Sequence, residues 1–348
     1  MKTSFGKISG LTAALVLLMV ILCSCSRITS GLIKVHSHTF YPYFDTVGTL
    51  SSYALDKEEE FNQNAAEVNT VLEHWHRLLD IYNEYEGMSN LCTVNRLAGQ
   101  AVKVDPDLIA FVKYAKDMCD LTKGEMDISL GAVLKLWHDA SIAEKPYVPA
   151  EDALAEAAKH TGFDLVEIDE SAGTLCLTDP LASLDAGALG KGYAAERAAE
   201  LLSKKGVTGY GLNLGGNIRF LGSKADDSPF TVGIRDPLNP ENLAVTLNLS
   251  DCSCVTSGDY ERYFTVDGKR YCHIIDKDTL MPASYFTSVS VICKDSGMAD
   301  ALTTALFCMS FEDGFALISS LEGVEAVWIW IDSSIRYTMG LDSVISLV

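Results

Sequence analysis

The sequence predicts an α+β fold, arranged as one large domain of interleaved helices and mostly antiparallel strands. Three observations carry that expectation. Segments of helical periodicity and short strand-like segments follow one another without the regular alternation of a parallel βαβ protein. Neighbouring strand segments are joined by tight turns, of which Asp267-Gly268 is the clearest hairpin signal. No Pro/Gly/Ser-rich linker and no internal repeat interrupts the later chain, so a single domain over 41–348 is expected.

Residues 58–81 place Phe61, Ala65, Val68, Leu72, Trp75 and Leu79 on one face of a long amphipathic helix. Residues 107–121 repeat the pattern with Leu108, Phe111, Ala115 and Cys119. Segments 164–168 and 174–177 read as a hairpin around Ser171-Ala172-Gly173. An Ala-rich helix is expected over 190–204, followed by strands at 210–214 and 217–221 flanking Gly215-Gly216. Strands at 260–266 and 269–275 pair across Asp267-Gly268. A strand at 287–292, a helix at 298–309 and a strand at 326–331 complete the pattern.

Of the 348 residues, 48% are apolar, 21% charged and 9% aromatic, which is globular composition and excludes a fibrous, disordered or polytopic membrane chain. The net charge of −20, from 27 Lys+Arg against 47 Asp+Glu, argues against a nucleic-acid partner, whose phosphates need clustered cations. An anionic small molecule would need a local device on such a surface, either a metal ion or a buried lysine.

The amino terminus reads separately. Lys2 and Lys7 precede an apolar run over 11–22, shorter than the ~20 residues that span a bilayer, which suits a signal peptide. The run ends in Leu22-Cys23-Ser24-Cys25, which resembles a bacterial lipobox with Cys25 as the lipidated residue. Residues 1–24 are thus expected to be a lipoprotein signal peptide and 25–40 a tether, with the domain lipid-anchored to the extracytoplasmic face of a bacterial cell membrane. The eight later cysteines lie mostly in apolar contexts and read as buried small hydrophobes. The group Cys252, Cys254, Cys272 and His273 matches no common structural zinc spacing.

Three segments concentrate chemistry. Asp185-Ala-Gly-Ala-Leu-Gly-Lys191-Gly-Tyr193 is a glycine-rich loop entering a helix. Its backbone N–H groups and the helix dipole attract phosphate, and Lys191 adds a point charge. It is neither a Walker A loop nor a Rossmann fingerprint, and taken alone such a Gly/Lys segment is more often a plain tight turn. Asp300 and Thr304 sit four residues apart on one helix face, a hard-oxygen pair for Mg²⁺ if other oxygens join them, or a cap with packing threonines if not. His273 is the best-placed general base on the predicted hairpin. His74, His76, His138 and His160 have no visible chemical partner. No Gly-x-Ser-x-Gly or His-Glu-x-x-His occurs, so serine hydrolase and zincin chemistry lack support.

In this order the pieces resemble the ApbE family, the FAD:protein FMN transferases, from about Phe44 to the carboxyl terminus. The resemblance is carried by Val47-Gly48-Thr49, Tyr85-x-x-x-Ser89-x-Leu91-x-x-x-Asn95, Gly124-Glu125-Met126-Asp127 with Leu136-Trp137, and the Asp185–Tyr193 segment. Asn213-Leu-Gly-Gly-Asn217, His273-Ile-Ile-Asp276 and Ala299-Asp300-Ala-x-x-Thr304 continue it. The resemblance implies an extracytoplasmic enzyme that splits FAD, attaches FMN to a Thr or Ser of a target flavoprotein and releases AMP. It implies flavin contacts from Val47, Tyr85, Glu125, Met126, Asp127, Asp185, Lys191 and Ile274. It also implies Mg²⁺ held by Ala188 (through its carbonyl), Asp300, Thr303 and Thr304, with His273 as base. The implied partners are FMN-binding domains of membrane redox complexes, such as Na⁺-pumping NADH:quinone reductase or Rnf-type complexes, or extracellular flavoproteins. An FAD pyrophosphatase and a non-catalytic FAD-binding lipoprotein remain as alternatives. The chain departs from the family pattern at Val47 (for Met), Met126 (for Phe) and Thr303 (for a second Asp of some members). Two further departures are Lys277, where Pro is usual after the Asp, and Leu280, where Gly is usual before x-Pro.

Overall fold

Antiparallel pairing dominates the architecture, as the short turns require. The computed structural model describes residues 35–239 and 241–348. The expected signal peptide and Cys25 lie outside the described residues. Strands β1 (His36–Tyr43) and β2 (Thr46–Ser52) form the first hairpin and are followed by helix α1 (Glu58–Leu79). Here the sequence reading is corrected. The tether expected over 25–40 gives way to strand at His36, and Phe40 is 2% exposed in the core, so the domain begins before residue 41.

Next come α2 (Leu91–Arg96), β3 (Val102–Lys103), α3 (Pro106–Leu121), α4 (Gly131–Ile142) and α5 (Glu151–Ala157). Strands β4 (Val166–Asp169) and β5 (Thr174–Leu177) form the expected hairpin, and helix α6 (Gly190–Lys204) follows. After it run β6 (Tyr210–Leu214), β7 (Asn217–Leu221), β8 (Phe230–Arg235), β9 (Leu243–Leu249) and β10 (Ser253–Gly258). The Asp267-Gly268 hairpin is β11 (Tyr263–Val266) with β12 (Lys269–Cys272), shorter than expected at both outer ends. The chain closes with β13 (Ser288–Cys293), α7 (Ser296–Cys308), α8 (Phe311–Ser319), β14 (Glu325–Ile329), β15 (Ile335–Tyr337) and β16 (Ile345–Leu347).

An eight-stranded sheet, ordered β1-β2-β6-β7-β10-β13-β14-β15, carries the fold. Period-two alternation divides its residues between two layers. Val255, Val289, Val291, Ala326 and Trp328 pack against α7 and α8, while Cys254, Ile292, Val327 and Ile329 pack against the small sheet β16-β9-β8. That double burial explains why β13 is buried at every position. A third cluster joins α1, α3 and α6 to β2 and β6.

Helix α6 can lie close against α7 because its inner face is small: Ala194, Ala195, Ala198 and Ala199 are buried. The tightest point is Gly192, where a Cβ would come within 2.3 Å of the Ser296 carbonyl oxygen and 2.5 Å of Asp300 Cβ. Glu196, one turn further on, accepts from the Ser296 N–H at 2.8 Å and from Arg219 Nε at 3.1 Å, joining α6, α7 and β7 through a buried ion pair. All eight cysteines among the described residues are free thiols. Gly192→Ala is expected to force the two helices apart and to cost about 1–3 kcal/mol of stability by overpacking, read as a lowered urea midpoint. An unchanged midpoint would contradict the close approach.

Candidate active site

The first N–H groups of a helix have no partner inside it. In α6 one of them is taken by a residue far away in sequence: Gly192 N–H donates to Asp300 Oδ2 at 2.8 Å, across 108 positions. Asp300 is 5% exposed. Burial pushes its carboxyl above the usual carboxylate range, against the Lys191 charge, the Gly192 N–H and the Asn217 amide. Thr304 lies one turn on, half-buried, its hydroxyl 3.5 Å from the Asp300 carbonyl. Ala188 is half-buried in the turn before α6, and its carbonyl accepts no backbone hydrogen bond among the described residues.

Thr303 departs from expectation. Its hydroxyl is fully buried, donates to the Asp300 carbonyl at 2.8 Å and accepts from the Ser257 hydroxyl at 3.0 Å, so it serves the packing of α7 on β10. The remaining donors are one carboxylate, one hydroxyl and one carbonyl, all hard oxygens that suit Mg²⁺. Among the described residues no group of three or more His, Cys, Asp or Glu could hold a metal. The set fits a cation whose other ligands are water or substrate phosphate oxygens.

His273 follows β12 directly. Its Nδ1 is 3.1 Å from the Arg262 carbonyl oxygen. A carbonyl only accepts, so Nδ1 carries the proton and Nε2 keeps its lone pair. His273 is exposed to solvent. Crowding by protein atoms, with the nearby charges of Lys191 and Arg262, pushes its pKa down to about 4 against the favourable Arg262 carbonyl bond. The Lys191 charge acts on both His273 and Asp300.

Asp185 opens the same glycine turn. Its carboxylate accepts from Gly187 N–H at 2.8 Å and its own N–H donates to the Ile128 carbonyl at 2.7 Å. Burial raises its pKa, with the backbone bond and His138 opposing. The preceding residue, Leu184, is clamped by Asn95: the amide donates to the Leu184 carbonyl and accepts its N–H, each at 2.8 Å. That clamp gives Asn95 of the resembling motif a positioning task. His138, left without a role by its sequence context, acts electrostatically on Asp185 and sets its ring with its centroid 5.3 Å from that of Tyr82, which is 60% exposed. Neither His138 nor Tyr82 carries a pattern that would have singled it out.

The other expected flavin contacts are distributed. Val47 is 51% exposed on β2, next to Gly48, which pairs with Leu214 ahead of the Gly215-Gly216 turn. Tyr85 donates its hydroxyl to Asp80 at 2.8 Å, and burial together with that carboxylate pushes its pKa up to about 12. Asp127 caps a short helical turn, accepting from the Ser129 N–H at 2.7 Å and its hydroxyl at 2.6 Å. Glu125 pairs with Lys277 at 3.3 Å, burial raising its pKa and the lysine opposing. Met126 and Ile274, also expected at the flavin, are buried. They are 0% and 5% exposed, core side chains that leave their backbone for a ligand.

The same architecture occurs in known proteins. The model of the ApbE family matches residues 44–328. The chain belongs to the ApbE family. Within it, the FAD:protein FMN transferase of Treponema pallidum is 36% identical over 297 residues, 80% of this chain and 82% of that protein. The FAD:protein FMN transferase of Klebsiella pneumoniae is 30% identical over 276 residues, covering 77% of this chain and 84% of its own. Two solved ApbE structures share the fold at 26% identity. The Thermotoga maritima ApbE protein superposes with a TM-score of 0.80 over 89% of this chain and 99% of its own. The apo Pseudomonas stutzeri flavinyl transferase gives 0.73 over 88% and 94%.

Ring titration of His273 by NMR should show a pKa well below the ordinary imidazole value of ~6.5, with the neutral ring protonated on Nδ1. Because the unfolded imidazole binds its proton more readily, this group removes stability as pH falls from about 6.5 toward the folded value. A cationic His273 ring at about pH 6 would contradict the assignment.

Proposed function

We propose that this chain is a flavin transferase that moves FMN from FAD to a Thr or Ser hydroxyl of a target flavoprotein and releases AMP. The observation that carries the reading is the 2.8 Å bond from Gly192 N–H to the buried Asp300, which sets the glycine-rich Lys191 turn against the helix that carries Asp300 and Thr304. Transfer of a phosphoryl group needs charge neutralisation and alignment more than covalent help. The acceptor hydroxyl oxygen attacks the FMN phosphorus while His273 Nε2 takes its proton. The bond from that phosphorus to the oxygen bridging to AMP breaks, and AMP leaves with the electron pair. Lys191, through its ammonium and its own backbone N–H, would hold the phosphate oxygens.

Mg²⁺ bound by the Ala188 carbonyl, Asp300 and Thr304 would supply charge neutralisation for the diphosphate. Val47, Tyr85, Glu125, Asp127, Asp185 and the backbone at Met126 and Ile274 would line the flavin side. A lipid on Cys25 would hold the domain at the extracytoplasmic face of the cell membrane. That position would suit FMN-binding domains of Na⁺-pumping NADH:quinone reductase or Rnf-type complexes, or extracellular flavoproteins. Among the described residues no helix is long and apolar enough to cross a membrane.

Incubation with FAD, Mg²⁺ and an FMN-binding acceptor domain should give a fluorescent acceptor band in a denaturing gel and one AMP per flavin attached. AMP and free FMN without a labelled acceptor would instead establish a pyrophosphatase, and recovery of intact FAD a storage protein. Asp300→Asn should lower the transfer rate by about a hundredfold or more while the protein stays folded. Chelation should have the same effect, and added Mg²⁺ should reverse it. Thr304→Val should lose at least about tenfold, whereas Thr303→Val, whose hydroxyl serves packing, should retain most activity and lose ~1 kcal/mol of stability. Cys25→Ser should shift the expressed protein from the membrane to the soluble fraction.

A further inference from the structure

Three buried residues border the space that Gly192 leaves open where α6 crosses α7. A Cβ placed on Gly192 would lie 2.3 Å from the Ser296 carbonyl oxygen, 2.5 Å from Asp300 Cβ and 3.0 Å from Asn217 Nδ2. Asn217 is the first residue of β7 and is 1% exposed. Its Oδ1 accepts from the Ser296 hydroxyl at 2.7 Å, and the Ser296 backbone is itself held by Glu196 at 2.8 Å. The amide is planar, so tying Oδ1 to Ser296 settles where Nδ2 stands. Nδ2 is buried and forms no full hydrogen bond among the described residues. Across the Gly192 gap is Asp300, and the amide acts on its carboxyl in the sense that favours the charged form.

A buried amide donor without an acceptor is costly, so its presence calls for an acceptor that completes it. A cation cannot be that partner, because an N–H offers no lone pair, and Oδ1 is already engaged by Ser296. Asp300 meets the requirement. Gly192 N–H holds one of its oxygens, Oδ2, at 2.8 Å. A single hydrogen bond leaves a carboxylate able to turn about its Cβ–Cγ bond, and the lone pairs of the other oxygen turn with it. A second donor fixes the plane. Building on the Mg²⁺-dependent transferase reading, we propose that Asn217 is a positioning residue, its Nδ2 donating to the Asp300 carboxylate and setting the direction in which that carboxylate faces Mg²⁺. Ser296 then keeps the amide from flipping, since a reversed amide would turn Oδ1 toward the Asp300 carboxylate.

The test uses the purified full chain and Mn²⁺ as a paramagnetic stand-in for Mg²⁺, titrated and followed by electron paramagnetic resonance, so that binding is read without turnover. Asn217→Leu keeps the branched shape and removes the amide. It should weaken Mn²⁺ binding by about 10–100-fold while metal-free unfolding stays cooperative. Ser296→Ala, which only frees the amide, should weaken it less and in the same direction. In FMN transfer both variants should need more Mg²⁺ for half-maximal rate, with KM for FAD unchanged at saturating Mg²⁺. Wild-type Mn²⁺ affinity in Asn217→Leu overturns the assignment, and a raised KM for FAD in that case would give Nδ2 to a substrate phosphate oxygen instead. If Asn217→Leu does not fold, Ser296→Ala decides by the same readings. Wild-type protein that binds no Mn²⁺ overturns the cation site and this assignment together. If Mn²⁺ binds to wild-type protein and is weakened in Asn217→Leu, yet no acceptor is ever labelled, the positioning role stands and the transferase reading alone falls.

Discussion

One hydrogen bond makes the site possible: the N–H of Gly192 given to the buried carboxylate of Asp300. It joins the start of α6 to the middle of α7, and it forms only because glycine at 192 lets the two helices touch. The bond also answers two separate demands. A helix start needs partners for its free donors, and a carboxylate at 5% exposure needs donors for its oxygens. The Glu196–Arg219 pair fixes the same helix crossing from one turn away, through the first N–H of α7. Lys191 and Asp300 are therefore held by a contact buried on both sides, which keeps their separation constant.

Around that contact the protein keeps charges in costly places. Asp127, Asp185 and Asp300 all have their pKa raised by burial, and His273 is pushed toward neutrality beside two cations. Each of these groups would gain from a bound partner of opposite sign or from a proton to take. On the proposed reading a metal would relieve Asp300, a diphosphate would relieve Lys191, and an acceptor hydroxyl would supply the proton. An acidic surface would repel such a substrate at long range, so its binding would depend on local cations such as Lys191.

The departures from the family pattern have local compensations. Lys277, which stands where Pro is usual, lies against Gly124 and pairs with Glu125, tying the His273 loop to the segment before α4. Leu280 takes a left-handed backbone at φ 56, the conformation for which glycine is favoured, and its carbonyl accepts the Trp137 indole N–H at 2.9 Å. Trp137 in turn stacks on Tyr271 of β12. The turn beside His273 is thus held from α4 despite both replacements. At 303, where some members carry a second Asp, the hydroxyl is engaged by Ser257 and the Asp300 carbonyl, which leaves Asp300 as the sole carboxylate of the proposed cation site.

Much of this molecule was legible in the sequence. Helical periodicity placed α1, α3, α6 and α7 within a few residues, and turn chemistry placed the β4–β5, β6–β7 and β11–β12 hairpins, because these signals arise from neighbours a few positions apart. The edge hairpin β1–β2, the small sheet β16-β9-β8 and the helices α4, α5 and α8 had no such local mark, since their stability comes from the surfaces they cover. The order of short motifs identified Lys191, Asp300 and His273 as a set, but spacing could not say that the glycine turn meets the Asp300 helix, nor that Thr303 and Met126 face the core. Asn95 and His138 acquired their places only from contacts across tens of residues, to Leu184 and Tyr82. Local composition determines which elements form, whereas long-range packing decides which side chains meet, because only the folded chain sets the distances over which hydrogen bonds and charges act.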